Sequence, residues 1–146
     1  MRTGTITLSI DSCLDDVFLV GLAVNKICAF VPLDETAAYH AELCVVEAVN
    51  NAIEHGYASK PGQTVAVVVS LAPDRITFTV RDNGPPIERA VWERLLAEPV
   101  EHDLLAEGGR GLFIIQRLMD ELRYEREGTA NALTFVKRLK SGAASG

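Results

Sequence analysis

The stretch Ile76-Thr77-Phe78-Thr79-Val80-Arg81-Asp82-Asn83-Gly84-Pro85-Pro86 alternates between apolar and polar residues and then stops at a glycine and two prolines. Alternation with a period of two predicts a strand that buries one face, and the Gly-Pro sequence predicts the turn that ends it. Ile76, Phe78 and Val80 would form the buried face. That face ends at the carboxylate of Asp82, so the strand carries an acidic group to the edge of the core.

Asp82 has two interpretations at this position. An ionised carboxylate only accepts hydrogen bonds, so a buried one requires a donor, and the exocyclic amine of adenine would fit the end of an apolar pocket. Alternatively, residues 82–85 simply close the strand as a turn. The apolar alternation that leads into Asp82 favours the ligand site.

The neighbouring sequence extends this strand into a sheet. Residues 63–71 are β-branched and joined to 75–81 by Ala72-Pro73-Asp74, which predicts a hairpin. Residues 123–127 and 132–139 predict a second hairpin, which turns at Gly128-Thr129. The alternating residues 5–10 predict one more strand.

Four helices are predicted between these strands. The first runs over 14–30 with Asp11-Ser12 as its cap, and the second starts after Asp34 and runs to about residue 54, where Gly56 ends it. The others are expected around 87–96 and over 112–122. Strands that come as hairpins predict an α/β two-layer sandwich, in which helices cover one face of a mixed, mostly antiparallel sheet.

Size and composition describe an ordinary soluble domain. The chain has 146 residues and a formal net charge of −6. The length predicts a single domain over residues 1–140, with a disordered tail over 141–146. The negative charge argues against direct binding of nucleic acid or an anionic membrane, and no apolar run approaches a membrane span, so a cytoplasmic location is expected. Cys13, Cys28 and Cys44 lack zinc-site spacing and are expected to be reduced thiols.

A polar row stands out on the second helix. Glu47, Asn51 and His55 lie four residues apart and therefore along one side of the helix, opposite an apolar stripe. The amide oxygen of Asn51 suits Mg²⁺, Glu47 one turn earlier would act as a general base, and His55 would orient or cap. The alternative is a polar helix face that meets solvent.

A glycine cluster, Gly108-Gly109-Arg110-Gly111-Leu112, opens directly into the last predicted helix. Glycines let backbone N–H groups approach phosphate oxygens, and the N-terminus of a helix favours an anion. The cluster is neither a Walker A loop nor a Rossmann fingerprint. It predicts a phosphate-binding loop supplemented by Arg110, the alternative being a flexible loop before a helix.

Taken in order, Glu47-x-x-x-Asn51, Asp82-x-Gly84 and Gly109-x-Gly111-Leu112 resemble the N, G1 and G2 boxes of the GHKL ATPases. Over nearly the whole chain the resemblance is closer to the anti-sigma factor serine kinases of the RsbW and SpoIIAB type. It implies the Bergerat fold, with ATP between sheet and helices and a lid over residues 85–109. It also implies Glu47 as catalytic base, Asn51 as Mg²⁺ ligand and Asp82 as reader of adenine. Together with the residues named above, the predicted nucleotide-binding set is Asn51, His55, Asp82, Gly84, Gly109, Arg110, Gly111, Leu112 and Thr134. The resemblance implies that Thr134 lies near adenine.

The same resemblance implies a function and partners. Such kinases phosphorylate a serine of a STAS-domain anti-anti-sigma protein, sequester a sigma factor or another client, and form homodimers. Pro86 stands where many members of the superfamily have a second glycine, and proline removes a backbone N–H. A nucleotide-dependent binding module with little phosphoryl transfer therefore stays open as an alternative.

Overall fold

The computed structural model describes residues 3–96 and 110–140 of the chain. After a first strand, pairs of helices and pairs of strands follow one another. In chain order they are β1 Gly4–Asp11, a 3-10 turn Leu14–Asp16, α1 Val17–Cys28, α2 Glu35–Asn51, a π turn Ala52–Gly56, β2 Thr64–Leu71, β3 Arg75–Asp82, α3 Arg89–Leu96, α4 Arg110–Leu118, β4 Glu121–Glu127 and β5 Ala130–Arg138.

The five strands form one sheet in the order β1-β2-β3-β5-β4. Every neighbouring pair of these strands is antiparallel, including the predicted hairpins β2–β3 and β4–β5. The prediction of a mostly antiparallel sheet with helices is therefore confirmed. β3 occupies the centre, so its final residue, Asp82, ends between two other strands rather than at an open edge.

Alternation along β3 and β5 separates an inner face from an outer face. On the inner face Phe78 lies opposite Phe135, with ring centroids 5.4 Å apart, and Val80 lies opposite Leu133. These side chains join one buried cluster with apolar residues of α1, α2 and α4. The apolar stripe predicted for α2 is buried throughout, and its members are Ala41, Cys44, Val45, Ala48 and Ala52. The core therefore holds the second helix against the sheet.

The predicted cap of the first helix is wrong, whereas that of the second is confirmed. Asp11 belongs to β1 and pairs with Thr64, so its neighbour Ser12 faces the loop before β2. There the Ser12 hydroxyl donates to the carbonyl of Lys60 at 2.6 Å. At Asp34, by contrast, the carboxylate accepts the N–H of Ala37 at 2.7 Å, as an N-cap does.

The last helix is shorter than predicted. α4 ends at Leu118 because the N–H of Asp120 donates to the carbonyl of Val136 and Glu121 already pairs with that residue in the sheet. The greater part of the predicted lid, the glycines Gly108 and Gly109, and the predicted tail lie outside the described residues. The single domain over 1–140 stays a prediction.

Two of the cysteines are buried thiols. Burial raises the pKa of Cys28 to about 11 and that of Cys44 to about 12, so both stay protonated near neutral pH. All three cysteines are free, as expected. Within residues 3–96 and 110–140, no helix has the length and apolar character needed to cross a membrane.

Candidate nucleotide site

A small cavity lies between the end of α2 and the inner face of β3 and β5. Its empty space is about 350 Å³, a volume that includes the open mouth, and about 30 Å³ of it admits the centre of a water molecule. The lining residues are Ala48, Asn51, Ala52, Gly56, Val80, Asp82, Pro85, Ile87, Tyr124, Asn131 and Leu133.

The helix wall brings two predicted residues into the site region. Asn51, the last residue of α2, lines the cavity directly. Glu47, one turn earlier, lies against the beginning of α4, where a Cβ built on Gly111 would be 3.0 Å from its Oε2 atom. Gly111 therefore lets α4 approach the carboxylate closely. Leu112 beside it is buried in the core.

His55, the third residue of the predicted polar row, is not brought into the cavity. It is exposed and does not line the cavity. The reason lies in the π turn Ala52–Gly56, which widens the helix after Asn51. Its hydrogen bonds span five residues rather than four, so a row of residues four apart does not continue through it.

The sheet wall supplies Asp82. Its Oδ1 accepts the N–H of Gly84 at 2.9 Å and the side-chain amide of Asn131 at 2.9 Å. The first bond is turn chemistry and the second comes from the facing strand, while the residue also lines the cavity. Asp82 therefore closes the turn through Oδ1, as one interpretation predicted. It also lines the cavity, which is compatible with the other interpretation, a carboxylate that binds a ligand.

Gly84 packs directly against the π turn. A Cβ built on Gly84 would overlap the carbonyl oxygen of Gly56. The G1-type glycine is therefore required by the contact between the turn after β3 and the end of the site helix, independently of any ligand.

The most buried polar residue of the site was not predicted. Asn131 is 2% exposed and pairs with Asp82 across β3 and β5. A signal for it exists in the sequence, because Asn131, Leu133 and Phe135 alternate on the inner face as Asp82, Val80 and Phe78 do. The hairpin register places the two polar ends opposite each other.

Two tyrosines, also unpredicted, hold the turn after β3. The Tyr57 hydroxyl accepts the N–H of Asn83 at 2.7 Å and donates to the carbonyl of Thr64 at 2.9 Å. The Tyr124 hydroxyl accepts the N–H of Ile87 at 2.9 Å. Burial raises the pKa of Tyr124, so it remains a neutral donor and acceptor across the physiological range.

Thr134, which was predicted to lie near adenine, is on the other face of the sheet from the cavity. Thr134 pairs with Thr79, and the two hydroxyls are 3.1 Å apart. Both residues line an outer-face groove together with Arg81 and Arg123. Because successive residues of a strand point to opposite faces, Thr134 lies on the side of the sheet away from Asp82.

The donor set suits a magnesium ion held mainly by phosphate. Within the described ranges, no group of three or more His, Cys, Asp or Glu residues would hold a metal on its own. Mg²⁺ binds few protein oxygens and usually keeps waters and substrate phosphates. A single amide oxygen from Asn51, which lines the cavity, would fit that habit. Gly109 and the side chain of Arg110 lie outside the described residues.

Fold and cavity together define a class of protein: a two-layer α/β domain with a cavity between its sheet and the helices on one face. Residues 11–137 match the family described as Histidine kinase-like ATPase domain. The chain belongs to this family, which confirms the resemblance found in the sequence. Membership of an ATPase family implies that the chain binds ATP.

Relatives of two kinds resemble the chain in sequence. The serine-protein kinase RsbW of Bacillus cereus (strain ZK / E33L) is 34% identical over 87 residues, which cover 56% of this chain and 52% of the relative. The anti-sigma F factor of Geobacillus stearothermophilus is 34% identical over 118 residues, which cover 77% and 78% of the two chains. The chain spans about half the length of the first of these relatives.

Solved structures share the fold. The RsbU and RsbW domains of Rv1364c from Mycobacterium tuberculosis superpose with a TM-score of 0.67 at 20% identity, over 93% of this chain and 32% of that one. A blue-light activated histidine kinase from Erythrobacter litoralis EL346 gives a TM-score of 0.58 at 18% identity, over 92% and 64% of the two chains. At these identities the likeness concerns the fold alone, and it agrees with the predicted class.

Proposed function

We propose that the chain is an ATP-dependent protein serine kinase that works as a partner switch. The observation that carries the proposal is that Asn51 and Asp82 line one cavity, while Glu47, one helix turn before Asn51, lies against Gly111 at the start of α4. A general base, a Mg²⁺ ligand and a base-reading carboxylate would thus surround one nucleotide, in the arrangement that phosphoryl transfer needs. The names of the relatives, serine-protein kinase and anti-sigma F factor, support it.

Asp82 would read the adenine base. The two side-chain bonds described for it fall on Oδ1. Oδ2 is therefore the oxygen that would accept the exocyclic amine. The apolar side chains of Val80, Ile87 and Leu133 line the same cavity and would pack on the faces of the ring.

Glu47 and Asn51 would serve the phosphate end. Asn51 would hold Mg²⁺ through its amide oxygen, and the ion would neutralise charge on the transferred phosphoryl group. Glu47 would accept the proton of the attacking serine hydroxyl, since it lies one turn from Asn51 and against the start of α4. Gly109, Arg110 and Gly111 would supply the phosphate loop at that helix end.

The proposed substrate is a serine of a STAS-domain anti-anti-sigma protein, and the proposed client is a sigma factor or another regulator. The printed name of one relative, anti-sigma F factor, supports this role. Phosphorylation would add charge to the antagonist and weaken its competition for the kinase. A cytoplasmic location belongs to the proposal, because the client would act there.

We also propose a homodimer. Leu14, Phe18 and Leu22 follow one another at four-residue spacing along the first helical segment and are 45%, 66% and 47% exposed. Such a row of exposed apolar side chains marks an interaction surface. Phe18→Glu should shift the protein towards monomer in light scattering. A monomeric wild type at high concentration would contradict this part of the proposal.

The second candidate is a nucleotide-dependent binding module without efficient transfer. Pro86 favours it, because this residue offers no backbone N–H at the start of the lid, where the superfamily often has glycine. The two candidates differ in what Glu47 does. In a kinase it is needed for transfer and not for binding, whereas in a binding module its removal changes neither.

The experiment combines nucleotide titration and phosphate transfer on the same samples. Wild type, Glu47→Ala, Asn51→Ala and Asp82→Asn are titrated with ADP and ATP, with and without Mg²⁺, and then given labelled ATP and a STAS-domain protein. We expect Glu47→Ala to bind but not transfer, Asn51→Ala to lose the Mg²⁺-dependent part of binding, and Asp82→Asn to lose binding.

The outcomes separate the candidates. Thr134→Val, on the outer face, is the matched control and should behave as wild type. Binding without phosphoserine in any sample would favour the binding module. Wild type that binds no adenine nucleotide would overturn both candidates.

A further inference from the structure

Asn131 is a buried amide whose orientation is determined by its neighbours. At one end it accepts from Arg126 Nη1 at 2.6 Å and from the Tyr124 hydroxyl at 3.0 Å. Arginine can only donate, so this end is the oxygen. The NH₂ group therefore faces the other way, towards the oxygens at the end of β3.

The NH₂ group uses its hydrogens on the G1 turn. It donates to Asp82 Oδ1 at 2.9 Å and to the carbonyl of Gly84 at 2.8 Å, with the carbonyl of Pro85 farther away at 3.5 Å. Two hydrogens satisfy the two nearer acceptors. The rotation of the Asp82 carboxylate is thereby restrained from one side.

Asn131 also separates a charged pair. Arg126 donates to the Asn131 oxygen and to the Gly84 carbonyl at 3.2 Å, and the amide stands between this guanidinium and Asp82. A guanidinium in direct contact would tend to occupy both oxygens of a carboxylate. With the neutral amide interposed, Asp82 gives one oxygen to the protein and keeps Oδ2 for a ligand.

We propose that Asn131 is a positioning residue for base selection. Held by Asn131, Asp82 presents a single acceptor that accepts a purine bearing an amine at position 6 and rejects one bearing a carbonyl, which would place two acceptors face to face. The inference rests on the proposed function, since it assumes that a nucleotide base enters this cavity. It adds a residue that would act through Asp82 without touching the reacting atoms.

The primary test is the ratio of affinities for ADP and inosine diphosphate. The two ligands differ in the group at position 6 and in the proton that hypoxanthine carries on N1, and they share the ribose and phosphates. We expect wild type to favour ADP, and Asn131→Ala to lower the ADP/IDP ratio by about tenfold, as expected when a charged acceptor loses its partner. An unchanged ratio, with any loss shared equally by both ligands, would overturn the proposal and leave a structural role.

A second test replaces the amide by a carboxyl group of the same shape. In Asn131→Asp the oxygen that replaces Nδ2 faces Asp82 and the Gly84 carbonyl, so it needs a proton to donate. ADP binding relative to wild type should be weak at about pH 8 and recover as the pair takes up a proton towards about pH 5. Arg126, at the other end, favours ionisation and sets how far the pH must fall. A weakening that does not depend on pH would contradict the positioning role.

Controls distinguish folding from positioning. Thr79→Val removes the outer-face hydroxyl bond to Thr134 and leaves the bond between Asn131 and Asp82 in place, so it should lower stability while leaving the ADP/IDP ratio near that of wild type. If Asn131→Asp does not fold at about pH 8, Asn131→Thr replaces it, because a hydroxyl can still donate to Asp82. A ratio in Asn131→Thr no better than in Asn131→Ala would count against the proposal.

The proposed function and this inference fail in different ways. Wild type that binds neither ADP nor IDP overturns both. Wild type that binds ADP selectively while every Asn131 variant keeps that selectivity overturns only the inference.

Discussion

The two faces of the β3–β5 pair carry similar residue types for different purposes. On the inner face Asp82 and Asn131 pair at the end of an apolar row and line a cavity under the helices. On the outer face, three residues back along β3, Thr79 and Thr134 pair hydroxyl to hydroxyl in a groove beside arginine side chains. Neighbouring polar residues thus belong to different sites, because side chains alternate along a strand.

The comparison shows that the register between β3 and β5, more than residue type, decides whether a polar residue faces the cavity or the outer groove. Thr134 and Asn131 are three apart in sequence and both are more than nine-tenths buried. Only Asn131 lies on the same face of the sheet as Asp82, and only Asn131 contacts it. Four predictions test the difference between the faces.

The largest difference should appear between neighbours in β3. Phe78→Ala removes a fully buried ring that packs on Phe135, so we expect a loss of about 3–5 kcal/mol in the free energy of unfolding. Thr77→Ala on the outer face should cost no more than about 1 kcal/mol. Urea unfolding followed by circular dichroism measures both. Equal losses would contradict the assignment of faces.

The turn that ends the inner face should be next in sensitivity. In Gly84→Ala the new Cβ meets the Gly56 carbonyl, so the turn or the π turn must shift, and we expect about 1–3 kcal/mol of destabilisation with weakened ADP binding. Gly4→Ala is the control, because a Cβ there meets nothing within 4 Å. Wild-type binding in Gly84→Ala would show that the close contact does not shape the cavity.

The hydroxyl pair of Thr79 and Thr134 on the outer face should contribute to stability without affecting nucleotide binding. A double-mutant cycle of Thr79→Val and Thr134→Val is expected to give a coupling of about 0.5–1 kcal/mol. ADP affinity should be unchanged in both single variants. A loss of ADP affinity in Thr134→Val would support the role predicted from the sequence, in which Thr134 lies near adenine.

The smallest expected effect is the contribution of the Tyr124 hydroxyl, on the inner face, to the pH dependence of stability. Burial raises the pKa of Tyr124 above its unfolded value, so its contribution to stability is full below the unfolded pKa and is lost as pH rises through the folded pKa. Stability should therefore fall more steeply at alkaline pH in wild type than in Tyr124→Phe. Chemical denaturation between about pH 9 and pH 11 compares the two. Parallel curves would show that Tyr124 ionises as it does in the unfolded chain.

Much of the fold was predictable because its signals are local. The two hairpins, the Asp34 cap and the buried stripe of α2 follow from alternation, turn residues and helical spacing. The end of α4 did not follow, because residues 119–122 continue a helical pattern and only pairing with β5 pulls Glu121 into the sheet. Asp11 does not cap the first helix for the same reason, because pairing with β2 keeps it in β1.

The candidate site was predictable where a motif is short and lies on one element. Glu47, Asn51 and Asp82 follow from helical and strand periods. His55 did not, because the π turn changes the helical spacing just before it. Asn131 and Tyr124 were missed because their bonds reach residues far along the chain, Asp82 on the facing strand and Ile87 in the segment after β3.

The sequence by itself determined the element types, the antiparallel class of the sheet, the family and the acidic end of the central strand, because each depends on residues close together in the chain. Only the tertiary structure decided which polar residues share the cavity. That choice depends on the register between β3 and β5, on the approach of Gly84 to Gly56 and on the side chains that hold the turn. These contacts join residues far apart in sequence, and a local sequence pattern does not specify which distant residues come together.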